Sequence, residues 1–349
     1  MAYIVIVIYV ICCFFALFEE RIKQYRTVIY ISLGFLLVLV AGLRPVGIDP
    51  DSLNYENTFL NYTSPNASDN VEYSYILFSQ IINFFTDDVH VLFLFYALLG
   101  VGIKMYAFRK LSNLWFISLA IYISYYFTLH ECIQIRTGVL SGLILIAIIQ
   151  IADGKRKLAA VSLLIGAFFH YSSLAMLPIL CISNKNMSKR SRIIWSLMVP
   201  LSYAFFFAGY TKSFNNGLEL PYVGGKLAAY QVSAIKGLIG SAKPFGPFQL
   251  FTLCIYYYAL YFYDTIIYYN RYFPIQIKIF TIGLFIYVTF SFLPVFAERV
   301  SLLYEIVSIT ICANFYYTVR PKWVSIGFIF ILGIIYSYLS LWLIGMKHF

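Results

Sequence analysis

Leu158-Ala-Ala-Val-Ser-Leu-Leu-Ile-Gly-Ala-Phe-Phe-His170-Tyr-Ser-Ser-Leu-Ala-Met-Leu-Pro-Ile-Leu-Cys-Ile182 is an apolar run with one histidine at its middle and a basic cluster at each end. Lys155, Arg156 and Lys157 precede it, and Lys185, Lys189, Arg190 and Arg192 follow. Basic residues close to a membrane segment mark the cytoplasmic side, so both ends of the run are expected on one face. A single spanning helix cannot satisfy that. The simplest solution is a re-entrant pair over 158–182, two half-helices of about a dozen residues and roughly 18 Å each, with His170-Tyr171-Ser172-Ser173 at the turn. Non-helical backbone at that depth persists only inside protein or against a water-filled cavity. His170 is therefore a candidate functional group, the structural alternative being a polar turn that only satisfies loose backbone groups.

The rest of the 349 residues agrees with a membrane setting. The chain is 61% hydrophobic, 20% aromatic and only 11% charged, which a soluble domain would have to expose as apolar surface. The fold class is an all-α polytopic integral membrane protein, organised as one transmembrane domain over 1–349. Met1 to Phe18 has no basic leader and no small-residue cleavage site before Glu19-Glu20-Arg21, and so reads as a retained first span. The formal charge of +10 does not indicate a nucleic-acid partner: 15 of the 25 Lys and Arg residues fall in short loops on the expected inner side, which is orientation. Six cysteines lie in apolar runs without CxxC or His/Cys spacing, so neither a disulfide framework nor a metal site is expected.

Basic loops then set the path. Ala2–Phe18 leads in to Arg21, Lys23 and Arg26, and Thr27–Leu43 leads out to a polar loop over 44–72 that holds Asp49, Asp51, Glu56, Asp69 and Glu72. Tyr73–Thr86 is too short to cross and ends at Asp87-Asp88, so it is expected to be interfacial or re-entrant. Val89–Phe108 comes in to Arg109-Lys110, Leu114–Leu129 goes out to a tight outer turn at His130-Glu131, and Cys132–Ala152 returns to the Lys155 cluster. After the re-entrant pair, Ile193–Gly209 exits to a second outer loop over 210–247, with Lys212, Lys226, Lys236 and Lys243 against one acid, Glu219. Leu227–Ile239 within it suits a short surface helix. Phe248–Ile267, Ile275–Ala297, Val300–Thr318 and Val324–Ile344 complete about ten spans, with both termini outside. Lys104, Lys278, Asp264 and Glu305 fall near span ends, where snorkelling accounts for them.

This topology collects Arg44, Arg136 and Arg299, from separate spans, in the outer half of the membrane with Asp49, Asp51, Glu72 and His170. Fixed guanidinium groups at a membrane surface are natural partners of phosphate or pyrophosphate, which they grip in two places. Asp49-Pro50-Asp51 has the spacing of a metal-binding acid pair, but the central proline suits a turn equally well.

Four short blocks, in order, carry a resemblance. Arg44-Pro-Val-Gly47-Ile-Asp49 followed by Tyr55 and Phe59 resembles the opening signature of the EpsG/Wzy group of bacterial polysaccharide polymerases. Glu72-Tyr73-Ser-Tyr75-Ile-Leu77 resembles the group's acid leading into an aromatic helix. Gln134-Ile135-Arg136-Thr137-Gly138 is similar to its IRQG block, with Thr137 where glutamine is usual, and Phe169-His170-Tyr171-Ser172 is similar to its FHxS block. Together they cover Arg44 to Ser173, about half of the chain, and Glu298-Arg299 is the one local match beyond.

The resemblance implies the membrane glycosyltransferase fold of Wzy polymerases and O-antigen ligases. It implies a bacterial inner-membrane enzyme, active toward the periplasm or cell exterior, that joins oligosaccharide repeat units carried on undecaprenyl pyrophosphate into O-antigen, capsule or exopolysaccharide. An acceptor sugar hydroxyl would attack the anomeric carbon of the donor chain and release undecaprenyl pyrophosphate. Arg44, Arg136 and Arg299 would hold pyrophosphate, with Tyr55, Lys226 and Lys236 as further substrate contacts. His170, Asp49 or Glu72 would act as base. No cofactor or metal is implied; membrane lipid and a chain-length regulator protein are the expected partners. An O-antigen ligase shares the donor and the chemistry, a membrane acyltransferase also uses a buried histidine, and a flippase for the same lipid-linked unit would carry its cations through the bundle.

Overall fold

The computed structural model describes residues 2–63, 71–208 and 242–343, and all regular structure among them is helical. The helices are α1 (Ala2–Leu17), α2 (Arg26–Gly42), α3 (Ser52–Leu60), α4 (Tyr73–Asn83), α5 (Val89–Leu111), α6 (Trp115–Ser124), α7 (Ile135–Ala152), α8 (Arg156–Phe169) and α9 (Lys189–Phe207). They continue as α10 (Pro247–Tyr261), α11 (Tyr263–Tyr269), α12 (Phe273–Thr289), α13 (Pro294–Glu305), α14 (Ser308–Ala313) and α15 (Lys322–Leu343). Lys226, Lys236 and the expected helix over 227–239 lie outside the described residues.

By length and composition, α5 and α7 are each able to cross a membrane, and α10 with α11, bent by 75°, forms a third such unit if the pair is one span. Several other apolar helices, α2, α6 and α12 among them, have 10–17 residues, and prolines and turns divide the runs. The expected span Ile275–Ala297 shows this directly. The chain leaves α12 at Thr289 and starts α13 at Pro294, since proline is favoured in the first helical turn, where its missing N–H costs nothing. Arg299 consequently sits inside α13 rather than at a turn.

The helices pack α5 against α7, with α2 on the outer side of α5 and α8 on α7; α12 is flanked by α9 and α13. Small residues permit the closest approaches. Gly142 on α7 leaves room for Ile103 of α5, and a Cβ there would come within 3.0 Å of it. The loops expected on the inner side bond to one another. Glu19 pairs with Arg26 and accepts the Trp115 N–H, Lys322 reaches Glu20, Arg271 meets Asp153 at 2.9 Å, and Arg192 meets Asp264 at 2.9 Å. Lys278 donates to the Ser183 and Lys185 carbonyls, which agrees with a side chain reaching for a span end.

Three expectations are corrected. His130-Glu131 is not an outer turn: both residues are fully buried in a π-helical turn, Thr128–Ile133, that folds back on α7. Lys104 does not snorkel: it is wholly buried on α5, with its ammonium on Glu131 Oε1 at 2.5 Å and on the Gly138 carbonyl. The Tyr122 hydroxyl donates to the same carboxylate oxygen at 2.8 Å. Glu305 is likewise interior, at 2% exposure. A polar pair between apolar runs resembles a surface turn in sequence, and only the partner from a distant helix makes its burial affordable.

Candidate active site

Arg136 lies in the first turn of α7, directly after the π-helical turn, which ends at Gln134. The buried Lys104, Glu131 and Tyr122 cluster stands immediately behind that turn. Glu72 precedes α4 in extended conformation, φ −68° and ψ 151°, and its side chain makes no capping bond to its own helix. Its carboxylate is instead in an ion pair with Arg136, and its Oε1 lies 3.4 Å from His170 Nε2. Thus the acid of one block, the arginine of the next and the histidine of the last are in contact, although they span nearly a hundred positions of the chain.

His170 terminates α8. Its φ of −157° and ψ of 126° turn the chain into a 3-10 helix, Tyr171–Cys181, which packs back along α8. Ser173 Oγ closes the hairpin by donating to the Leu163 carbonyl at 2.5 Å. Within the turn, His170 Nδ1 accepts the Ser172 N–H at 3.1 Å. In the neutral ring an accepting Nδ1 assigns the proton to Nε2, so the ring presents an N–H toward Glu72.

Two aromatic rings complete the setting of Arg136. Its guanidinium carbon is 5.8 Å from the Tyr55 ring centre and 5.9 Å from that of Tyr75, at cation–π range. Tyr55 and Tyr75 stack at 5.6 Å, and the Tyr75 hydroxyl donates to the Tyr55 carbonyl at 2.6 Å, tying α3 to α4. From the other half of the chain comes Arg299. α13 packs against the 3-10 helix through a bond from the Tyr304 hydroxyl to the Ala175 carbonyl at 2.7 Å. Arg299 is within electrostatic reach of both His170 and Asp51.

Arg44 and Asp49 stand apart from this group in role. Arg44 Nε donates to Asp49 Oδ2 at 3.0 Å, its Nη1 donates to the Ala41 carbonyl at 2.6 Å, and the guanidinium lies 4.0 Å from the centre of the Phe93 ring. Both side chains of the pair are almost wholly buried. Asp49 Oδ1 also accepts the N–H groups of Asp51 and Ser52 at 3.1 and 2.9 Å, which starts α3. The pair is therefore a clamp that shapes the loop, and Gly47, at φ +87°, provides the left-handed step the turn requires.

Asp51 is different. It occupies the N-cap of α3, yet its side chain makes no capping bond. It forms no ion pair among the described residues, and Arg136 and Arg299 both act on it through space. Burial and Asp49 push its carboxyl above the usual carboxylate range, against the opposing pull of the two arginines. Of the candidate residues, Glu72, Arg136, His170 and Tyr55 come together, Arg299 is an exposed side chain of α13 that acts on His170 only through space, and Arg44 and Asp49 form a buried pair. Tyr75 was signalled only by the aromatic character of its block, and the Lys104–Glu131 pair by nothing local.

The arrangement defines a class: an all-helical membrane protein in which an acid, an arginine and a histidine from separate helical elements meet. The chain belongs to the EpsG family, whose model matches residues 27–348. No curated protein and no solved structure matches it. Membership extends the four blocks to nearly the whole chain and supports a polysaccharide polymerase-type role in a membrane.

Proposed function

We propose that the protein is a glycosyltransferase that joins undecaprenyl-pyrophosphate-linked oligosaccharide repeats on the outer face of the bacterial cytoplasmic membrane, with about ten spans and both termini outside. The observation that carries this reading is the contact of Glu72 with both Arg136 and His170, residues of three separate sequence blocks, in a member of the EpsG family. Transfer at an anomeric carbon passes through an oxocarbenium-like state while charge grows on the departing pyrophosphate. A guanidinium held in advance, as Arg136 is by Glu72 and the Tyr55 and Tyr75 rings, stabilises that charge without reorganising.

Each residue then has a task. Arg136 and Arg299 hold the donor pyrophosphate. Glu72 and His170 orient Arg136, and the Tyr55 and Tyr75 rings fix the plane in which it can be approached. The amphipathic donor and acceptor explain a site between polar loop and apolar bundle. The lysines over 210–247 would add cationic contacts for the donor or for an anionic sugar.

The test is direct. The purified protein in vesicles, supplied with the lipid-linked repeat extracted from a strain lacking this gene, is expected to produce a ladder of lengthened chains and free undecaprenyl pyrophosphate. Transfer of the intact chain to a lipid A core without lengthening would assign the ligase activity instead. Movement of the unit across the membrane with no new bond would assign a flippase.

A further inference from the structure

Between the first half of α2 and the second half of α5 lies a cavity of about 260 Å³, with Gly34, Val101 and Met105 along its floor and Arg109 at one end. The two helices meet beneath it, where the Tyr30 hydroxyl donates to the Met105 carbonyl at 3.2 Å. Along the rim, Ile31, Phe35, Leu98 and Tyr106 are each more than half exposed. An apolar rim on the outside of a membrane bundle faces lipid, so the cavity is a groove open to the bilayer.

Two glycines line it, and they differ in purpose. A Cβ on Gly34 would come within 2.2 Å of Met105 Sδ, so that glycine lets the helices approach. A Cβ on Gly102 would meet nothing within 4 Å, and its backbone has no positive φ. Neither close packing nor conformation requires a glycine there. What its missing side chain provides is room in the groove.

The end of the groove is positive. Arg109 is exposed and forms no ion pair among the described residues. Its guanidinium carbon lies 4.4 Å from the centre of the Trp115 ring, and that of Arg26 lies 3.7 Å from the same centre. Glu19 neutralises Arg26 and leaves Arg109 without an acid. Lys110 adds a second cation, 5.8 Å from the ring of Tyr106 on the groove's rim.

We infer that this groove holds one acyl chain of an anionic glycerophospholipid, with the lipid phosphate on Arg109. The dimensions favour such an occupant. From Leu98 to Arg109 the groove follows about 16 Å of helix, which matches one leaflet, about 15 Å, of the bilayer's hydrocarbon core. A chain of that leaflet lies along the apolar floor while its headgroup stays at the charged end. The place is distinct from the candidate active site, which meets α5 in its first half, where Phe93 and Tyr96 pack on Tyr55 and Tyr75. The assignment therefore does not depend on the polymerase reading. In the topology proposed above, the lipid belongs to the inner leaflet.

The full chain is reconstituted in phosphatidylcholine vesicles with a trace of phosphatidylglycerol that carries a photoreactive diazirine in one acyl chain, or with phosphatidylcholine carrying the same group. Labelled peptides are then mapped by mass spectrometry. Phosphatidylglycerol is expected to label 98–106 about fivefold more than phosphatidylcholine, the effect of one surface cation on an anionic lipid. Arg109→Ala should remove that excess, and Gly102→Phe should lower labelling of the segment by both lipids. Arg156→Ala removes the same charge from another exposed basic position, away from the groove, and should change nothing. Equal labelling by the two lipids, an excess that survives Arg109→Ala, or an equal loss in Arg156→Ala would overturn the inference. So would displacement of the label by undecaprenyl phosphate in preference to phosphatidylglycerol, or crosslinks from the groove to a second copy of the chain. Unchanged thermal unfolding of Gly102→Phe excludes a folding defect, and Arg109→Ala gives its result at an exposed position without adding bulk.

Discussion

Arg136→Ala is expected to abolish polymer while leaving the protein at normal levels in the membrane. The residue starts α7 and contacts Glu72, and its guanidinium lies at cation–π range of the Tyr55 and Tyr75 rings. Each of these holds the guanidinium in one orientation, so the loss is of a prepositioned charge rather than of a surface contact. Removing one such donor at a developing anion typically costs about 10²- to 10³-fold in rate. Lysine is not an adequate substitute, since it offers a point charge where the planar fork meets two oxygens at once. The measurement is chain lengthening by membranes that contain Arg136→Ala or Arg136→Lys, normalised to immunoblot. Glu72→Gln is expected to have a smaller effect, because it frees the arginine without removing it.

The second large effect concerns stability. Lys104 and Glu131 are both without solvent exposure on their side chains and meet at 2.5 Å inside the bundle. Two charges at that depth are tolerable only together. Lys104→Met alone or Glu131→Leu alone leaves an unpaired buried charge and is expected to destabilise by about 3–5 kcal/mol. The double variant Lys104→Met with Glu131→Leu removes both charges and is expected to recover most of that loss. Thermal unfolding in detergent gives the comparison, and additive losses in the double variant would show that the two residues do not act as a pair. The pair also braces the turn from which Arg136 projects. The double variant should thus be folded yet less active than wild type, which separates the stabilising role from the positioning one.

How much of this was legible beforehand depends on the range of the interaction involved. The His170 turn is readable because basic clusters at both ends of 158–182 impose a geometric constraint, and α8 and the 3-10 helix fold back on each other there. Arg136, Glu72 and Tyr55 were readable as members of ordered blocks, and they meet. The role of Arg44 was not: an arginine at the end of an apolar run looks alike whether it faces substrate or is locked, and the distinction lies in Asp49, Ala41 and Phe93 around it. The same holds for Lys104 and Glu131. Each is an ordinary span-end charge by position, and only α5 lying beside the start of α7 makes them a pair. Boundaries inside the second half, such as the break before Pro294, depended on which of several aromatic turns the chain would use. Hydropathy alone does not rank those.

If this protein lengthens lipid-linked saccharide chains through a site built on Arg136, the banding of surface polysaccharide reads it out. A strain deleted for the gene is complemented with wild type or with Arg136→Ala, and the polysaccharide is separated by length. A single capped repeat is expected in the deletion strain and in the Arg136→Ala strain, with the full ladder restored only by wild type. An undiminished ladder in the deletion strain, or loss of even the single capped repeat, would contradict it.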